Sequence, residues 1–140
     1  MPVLTLTTDL GLKDYYVGAL KGAVYKEMPD AVIVDISHQV DPFDLIQASF
    51  IIKHAFKEFP KNSVHIIGVD TEHSLTLQPL AVLAGDHYFV GPDNGIFSLI
   101  FDKIPDKWKI EFKNIKTNFS SRRMKPFFKK ENRPANNKKK

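Results

Sequence analysis

The chain has 140 residues, 43% hydrophobic and 26% charged, with no cysteine and a formal charge of +4. That length and apolar content fit one domain with a real core and exclude a disordered or fibrous chain. The missing cysteines exclude disulfides, thiolate metal ligands and thiol nucleophiles.

The charge is uneven. Residues 1–120 hold 11 Lys and Arg against 15 Asp and Glu, a net of −4, whereas residues 121–140 hold nine basic residues against Glu131 alone, a net of +8. No run approaches the ~20 apolar residues of a membrane span. Met1-Pro2-Val3-Leu4 leads straight into strand-like sequence with no signal-peptide pattern, so a cytoplasmic location is expected.

Residues 3–8 are apolar and β-branched, which predicts a strand. From Tyr15 the set Val17, Leu20, Val24 and Met28 falls at helical spacing, with Asp14 as the expected N-cap and Met28-Pro29-Asp30 as the stop. Ala31–Ile36, broken only by Asp35, reads as a buried parallel strand. Asp41-Pro42-Phe43-Asp44 opens a second helix carrying Leu45, Ala48, Ile52, Ala55, Phe56 and Phe59, ended by Pro60. Val64–Val69, closed by Asp70, is a third strand.

This order predicts a doubly wound α/β fold, a largely parallel sheet flanked by helices. A β-hairpin extension follows, Leu80–Leu83 and Tyr88–Val90 around Ala84-Gly85-Asp86-His87. Pro92-Asp93-Asn94-Gly95 is a turn before Ile96–Phe101, a run compatible with helix or strand, and Trp108–Phe112 alternates like one more strand. Residues 120–140 have no sustained period and are expected to be a disordered tail behind a domain of residues 1–119.

Asp9, Asp35 and Asp70 each fall at or near the carboxyl end of a predicted parallel strand, the edge where open α/β sheets bind ligands. Carboxylates there can hold ribose hydroxyls, a divalent metal or a reacting water, or simply cap the next helix or turn. Asp9-Leu10-Gly11-Leu12-Lys13 has too few glycines for a dinucleotide or phosphate loop, which disfavours binding through phosphate and leaves a nucleoside open. His38, His54, His65, His73 and His87 show no zinc spacing, so no metal site is expected. His54 and His65 read as packing or surface residues, and His73, in the loop beyond Asp70, as the histidine of most interest. No hydroxyl nucleophile stands in an elbow motif.

The segment Thr7-Thr8-Asp9-Leu10-Gly11-Leu12-Lys13-Asp14-Tyr15-Tyr16-Val17-Gly18-Ala19-Leu20-Lys21-Gly22 resembles the opening signature of the S-adenosylmethionine (SAM) hydroxide adenosyltransferases, the SAM hydrolases related to the fluorinases and chlorinases. Ile33–Val40, Val64–Asp70 and Tyr88–Gly95 follow in the same order and spacing, so the resemblance covers about residues 3–118. It implies attack of water or a halide on C5′ of the SAM ribose with loss of methionine, with SAM as substrate and no cofactor or metal. It further implies that Asp9 holds the ribose diol and Asp70 orients or deprotonates the water. Tyr88, Phe89, Asp93 and Asn94 would line the SAM pocket, whereas Tyr16 and Phe43 read as packing residues.

Two departures accompany the resemblance. The hydrolases pair the water-site Asp with an Arg, but an ungapped count from Asp70 to Ala81 puts Leu77 there, and their later His falls beyond Phe119, where the likeness ends. The resemblance further implies a C-terminal β-rich domain that completes the pocket of a neighbouring subunit in a trimer, and residues 120–140 are not expected to supply it. A truncated or frame-shifted product with impaired hydrolase activity is therefore the expectation. Its alternatives are a SAM- or adenosine-binding remnant without turnover, and salt-sensitive nucleic-acid binding through residues 121–140 with Phe127 and Phe128 stacking on bases. The acidic body offers that last reading no companion basic face.

Overall fold

In the computed structural model the described residues are 3–70 and 79–102. They form β1 (Val3–Thr8), α1 (Tyr16–Glu27), β2 (Val32–Ser37) and α2 (Leu45–Ala55), which runs on into a 3-10 turn at Phe56–Glu58. Then come β3 (Val64–Gly68), β4 (Pro79–Ala84), β5 (His87–Pro92) and the short α3 (Ile96–Ile100). The strand expected at Trp108–Phe112, and everything from residue 103 onward, lie outside the described residues.

The five strands make one sheet in the order β2-β1-β3-β5-β4. β2, β1, β3 and β5 are parallel, and β4 runs antiparallel to β5. This is the expected α/β architecture, with the hairpin joined to the main sheet. The chain leaves β1 toward β2, then returns across β1 to β3. The right-handed rule for such crossovers puts α1 and α2 on opposite faces. The direction in which the chain winds reverses between β1 and β3, the point where open α/β sheets form a crevice at their carboxyl ends.

One face carries the main core. Ala48 and Ile52 of α2 and Ile96 and Ile100 of α3 pack on Ile67, Val69, Val82 and Phe89. On β1 the alternation divides the residues: Leu4 and Leu6 face away from Thr5, whose hydroxyl meets His65 on the aromatic side. Phe56 meets the rings of His65, His87 and Phe89 there, all edge-on. The hairpin turns on Gly85 (φ +56°) and Asp86 (φ +67°), the pair of left-handed residues that a two-residue turn requires to match strand twist. Gly91 has a different reason to lack a side chain, because a Cβ there would sit 3.1 Å from Cβ of Ile67.

Three local expectations are corrected. β2 is an edge strand and none of its residues is fully buried, because only β1 pairs with it. Tyr15, not Asp14, occupies the cap position of α1, and the Asp14 carboxylate instead accepts the N–H of Tyr15. Tyr16 and Phe43 are exposed, so neither packs into the buried core. The ambiguous run at Ile96–Phe101 is helical up to Ile100.

Candidate functional site

The site is assembled where three turns meet at the carboxyl edge of the sheet. Asp9 follows the last residue of β1, and its Oδ2 accepts the backbone N–H of Phe43 at 2.9 Å and of Asp70 at 3.1 Å. One carboxylate oxygen thus ties the ends of β1 and β3 to the β2–α2 turn. Both donors have left-handed backbones, Phe43 with φ 63° and Asp70 with φ 57°. For a phenylalanine that conformation is rare, and such strain gathers where a surrounding structure holds a site in shape. Oδ1 of Asp9 accepts from no described residue.

The β2–α2 turn is itself fixed from the helix side. Asp44 caps α2 by accepting the N–H of Gln47 at 2.9 Å, and the Gln47 side chain reaches back to the N–H of Asp41 at 2.6 Å. The two bonds bracket Phe43, a residue that is 54% exposed.

β5 runs parallel to β3, so its carboxyl end delivers the Asp93-Asn94-Gly95 turn to the same edge. Asn94 donates from Nδ2 to the carbonyls of Val69 (3.0 Å) and Asp70 (3.3 Å), and its Oδ1 accepts the N–H of Ile96. Asp70 is therefore gripped on its N–H by Asp9 and on its carbonyl by Asn94. Asp93 stands exposed beside Asn94.

The structure thus brings together Asp9, Asp70, Asp93 and Asn94, but not Tyr88 and Phe89. Those two pair with Val64 and His65 at the start of β3, with Tyr88 four residue steps of about 3.3 Å before the Gly68 end. Phe89 is fully buried in the core. Asp35 is also displaced from the expected edge. It lies inside β2 opposite Leu6, and its carboxylate is engaged by Lys21 Nζ at 2.7 Å and His38 Nε2 at 2.9 Å. Partial burial opposes the Asp35 charge, but the contacts with Lys21 and His38 outweigh it and hold the carboxyl below its ordinary value. His73 and Leu77 lie outside the described residues.

Two residues at this edge escaped the sequence reading. Phe43 was hidden because nothing local predicts a left-handed phenylalanine. His38 is buried, with Nδ1 2.7 Å from Thr8 Oγ1, and the signal for it was the Asp35-x-x-His38 spacing at the end of a strand. Among the described residues no group of three or more His, Asp or Glu converges to hold a metal ion. No helix there is long and apolar enough to cross a membrane.

Comparison with known proteins decides the relationship. The family model of the SAM hydroxide adenosyltransferase N-terminal domain matches residues 4–132. The chain belongs to the SAM hydroxide adenosyltransferase family. It is 35% identical over 109 residues to an (R)-S-adenosyl-L-methionine hydrolase of Methanocaldococcus jannaschii, a match covering 74% of this chain and 41% of the relative. A Thermus thermophilus protein of the same description is 35% identical over 98 residues, covering 70% and 38%. A crystal structure of an uncharacterized conserved protein from Thermotoga maritima superposes with a TM-score of 0.65 at 35% identity, covering 70% of this chain and 38% of that one. The chain spans about two fifths of the length of the curated relatives it matches.

Proposed function

We propose that this member of the SAM hydroxide adenosyltransferase family binds SAM at the crevice between β1 and β3 and takes part in its hydrolysis to adenosine and methionine. The supporting observation is the Asp9 carboxylate, anchored through Oδ2 by two backbone N–H groups and with Oδ1 taken by no described residue. A carboxylate held this way offers an oriented acceptor to ribose hydroxyls, and charge-assisted bonds of that kind are the strong ones. The absence of a glycine-rich phosphate loop after β1 agrees with a ligand whose ribose carries no phosphate.

In this reading the water oxygen forms a bond to C5′ opposite the sulfonium. The C5′–S bond breaks with its electron pair going to sulfur, which leaves neutral methionine. The water proton passes to Asp70 or to solvent. The leaving group carries its own driving force, so the protein's part is to hold the ribose, align the water and limit its freedom. Asp9 would hold the diol, Asp70 would orient the water, and Asn94 would fix Asp70 through its carbonyl. The exposed ring of Phe43 would close over the ribose side of the crevice.

A second reading, SAM or adenosine binding without turnover, is favoured by Leu77 at the position where the resemblance expects Arg. Incubating the purified chain with SAM in 18O-labelled water separates the two. Adenosine bearing the label at its 5′ oxygen supports hydrolysis, and calorimetric binding of SAM without product supports the second reading. A chain that binds neither SAM nor adenosine at millimolar concentration overturns both.

A further inference from the structure

We infer that His38 is a positioning residue for the SAM-binding edge, setting the Asp9 carboxylate through Thr8 and the turn that follows it. The inference rests on the reading of that edge given above.

Thr8 is the last residue of β1 and directly precedes Asp9. Its Oγ1 accepts the N–H of Leu10 at 3.2 Å, so the hydroxyl spans Asp9 and closes the turn around it. The same Oγ1 lies 2.7 Å from Nδ1 of His38. His38 grips the turn a second time, because its backbone carbonyl accepts the N–H of Gly11 at 2.7 Å. Gly11 has φ +76°, a left-handed conformation that lets the chain fold back onto that carbonyl. Leu10 and Gly11 are thus both held by His38, one through the Thr8 hydroxyl and one directly.

The far side of the ring sets its proton. Nε2 stands 2.9 Å from Oδ1 of Asp35, close enough that the carboxylate favours an N–H over a lone pair on that nitrogen. A nitrogen facing a carboxylate carries the hydrogen, and in a neutral imidazole Nδ1 is then an acceptor. The Thr8 O–H donates to Nδ1, which leaves the Thr8 lone pairs to accept from Leu10. The opposite tautomer would aim a lone pair at the Asp35 carboxylate. This assignment follows from the network. Lys21 on α1 completes the chain from the other side of Asp35 at 2.7 Å.

The protein contains its own control. Thr5 and His65 form the same kind of buried pair, also 2.7 Å from Oγ1 to Nδ1, three residues earlier on β1. That pair ends on His87 and the aromatic core and touches no residue of the site. A merely structural role predicts similar consequences for the two pairs, and a positioning role does not.

The experiment uses the full chain with Thr8→Val, Thr8→Ser, His38→Leu and Thr5→Val. SAM and adenosine affinity are read by calorimetry, and amide hydrogen exchange is read at Leu10, Phe43 and Asp70. Thr8→Val and His38→Leu are expected to weaken SAM binding by about tenfold, the scale of one buried hydrogen bond. Exchange at Phe43 and Asp70 should quicken with it, because both amides sit on the Asp9 carboxylate. Thr8→Ser, which keeps the hydroxyl, should stay within about twofold of the parent, and so should Thr5→Val despite its lower melting temperature. Equal affinity losses in Thr5→Val and Thr8→Val overturn the inference. So does unchanged exchange at Phe43 and Asp70 in Thr8→Val, which also serves if His38→Leu fails to fold. If the parent chain binds neither SAM nor adenosine, the proposed function falls, while exchange at those two amides still decides what His38 positions.

Discussion

Asp9 accepts the backbone N–H of Asp70 at 3.1 Å, across 61 positions of sequence, on the same oxygen that holds Phe43. The contact fastens the two strands that flank the crevice to each other at their carboxyl ends. It also stabilises two backbone conformations that residues other than glycine seldom adopt.

Removing that acceptor has two separable effects. Asp9→Ala leaves two N–H groups without their partner and is expected to destabilise the chain by about 1–3 kcal/mol in urea unfolding. Asp9→Asn keeps an acceptor oxygen and should cost less stability, while losing the charge-assisted grip on SAM. Calorimetry should therefore find weakened binding in both variants. Unfolding curves that coincide with the parent for Asp9→Ala would show that the two contacts carry nothing.

Phe43 offers a test of backbone strain. At φ 63° glycine is comfortable, whereas a β-branched residue is the worst choice. Phe43→Gly is expected to be more stable than Phe43→Val by about 1–2 kcal/mol. Both should bind SAM less well, since the ring proposed to cover the ribose is gone. Thermal denaturation of the pair gives the difference; equal melting temperatures would contradict the assignment of strain.

The buried histidines predict how stability depends on pH. Burial pushes His65 down to about 4, with the neighbouring His87 ring adding to it. Burial also pushes His87 down, and Asp86 partly counters this. The unfolded chain titrates its histidines near 6.5, so below that value the unfolded state binds more protons than the folded one. Stability is therefore full above about pH 6.5 and is lost as the pH falls toward 4, by an amount on the order of 3 kcal/mol for His65. Melting temperatures measured from about pH 8 downward should stay level to about pH 6.5 and fall below it, and His65→Gln should flatten the fall.

The cap on α2 gives a smaller and cleaner number. Asp44→Ala removes the acceptor of the Gln47 N–H and should cost about 1 kcal/mol. Because the same turn carries Phe43, amide exchange at Phe43 should rise with it. A cost within about 0.2 kcal/mol of zero, read from urea unfolding, would show that the cap is dispensable.

An apolar patch on α2 predicts association. Ile46 and Phe50 lie one turn apart, 71% and 61% exposed, and the Phe50 ring meets that of His54 at a tilt with centroids 4.2 Å apart. Sedimentation should find the chain self-associating at high concentration, and the double variant Ile46→Lys, Phe50→Gln should reduce this. The same variant should change folding stability by no more than about 0.5 kcal/mol. A parent that sediments as a monomer throughout would refute the prediction.

Much of this architecture was legible locally. The threonine-rich strand, the helical spacing of Val17, Leu20 and Val24, the start of the second helix at Asp41–Asp44 and the Gly85-Asp86 turn each obey rules that act over a few residues. The four collinear segments carried the family resemblance that comparison then bore out. Edge against centre was not legible: Ala31–Ile36 and Val64–Val69 are equally apolar, yet β2 has one neighbour and β3 has two. Nor was the depth of Tyr88 and Phe89, which depends on the register of β5 against β3.

The sequence alone therefore determined the alternation of strands and helices up to β3, Asp9 and Asp70 after their strands, the split between an acidic body and a basic end, and the family. Only the tertiary structure decided which turns meet. It joined Asp9 to Phe43 and Asp70, matched His38 to Thr8 across 30 positions, and enclosed Asp35 between Lys21 and His38. The reason is physical. Propensity and capping act along the chain over a few residues, whereas strand order and register set which distant groups share a hydrogen bond at the end of a sheet.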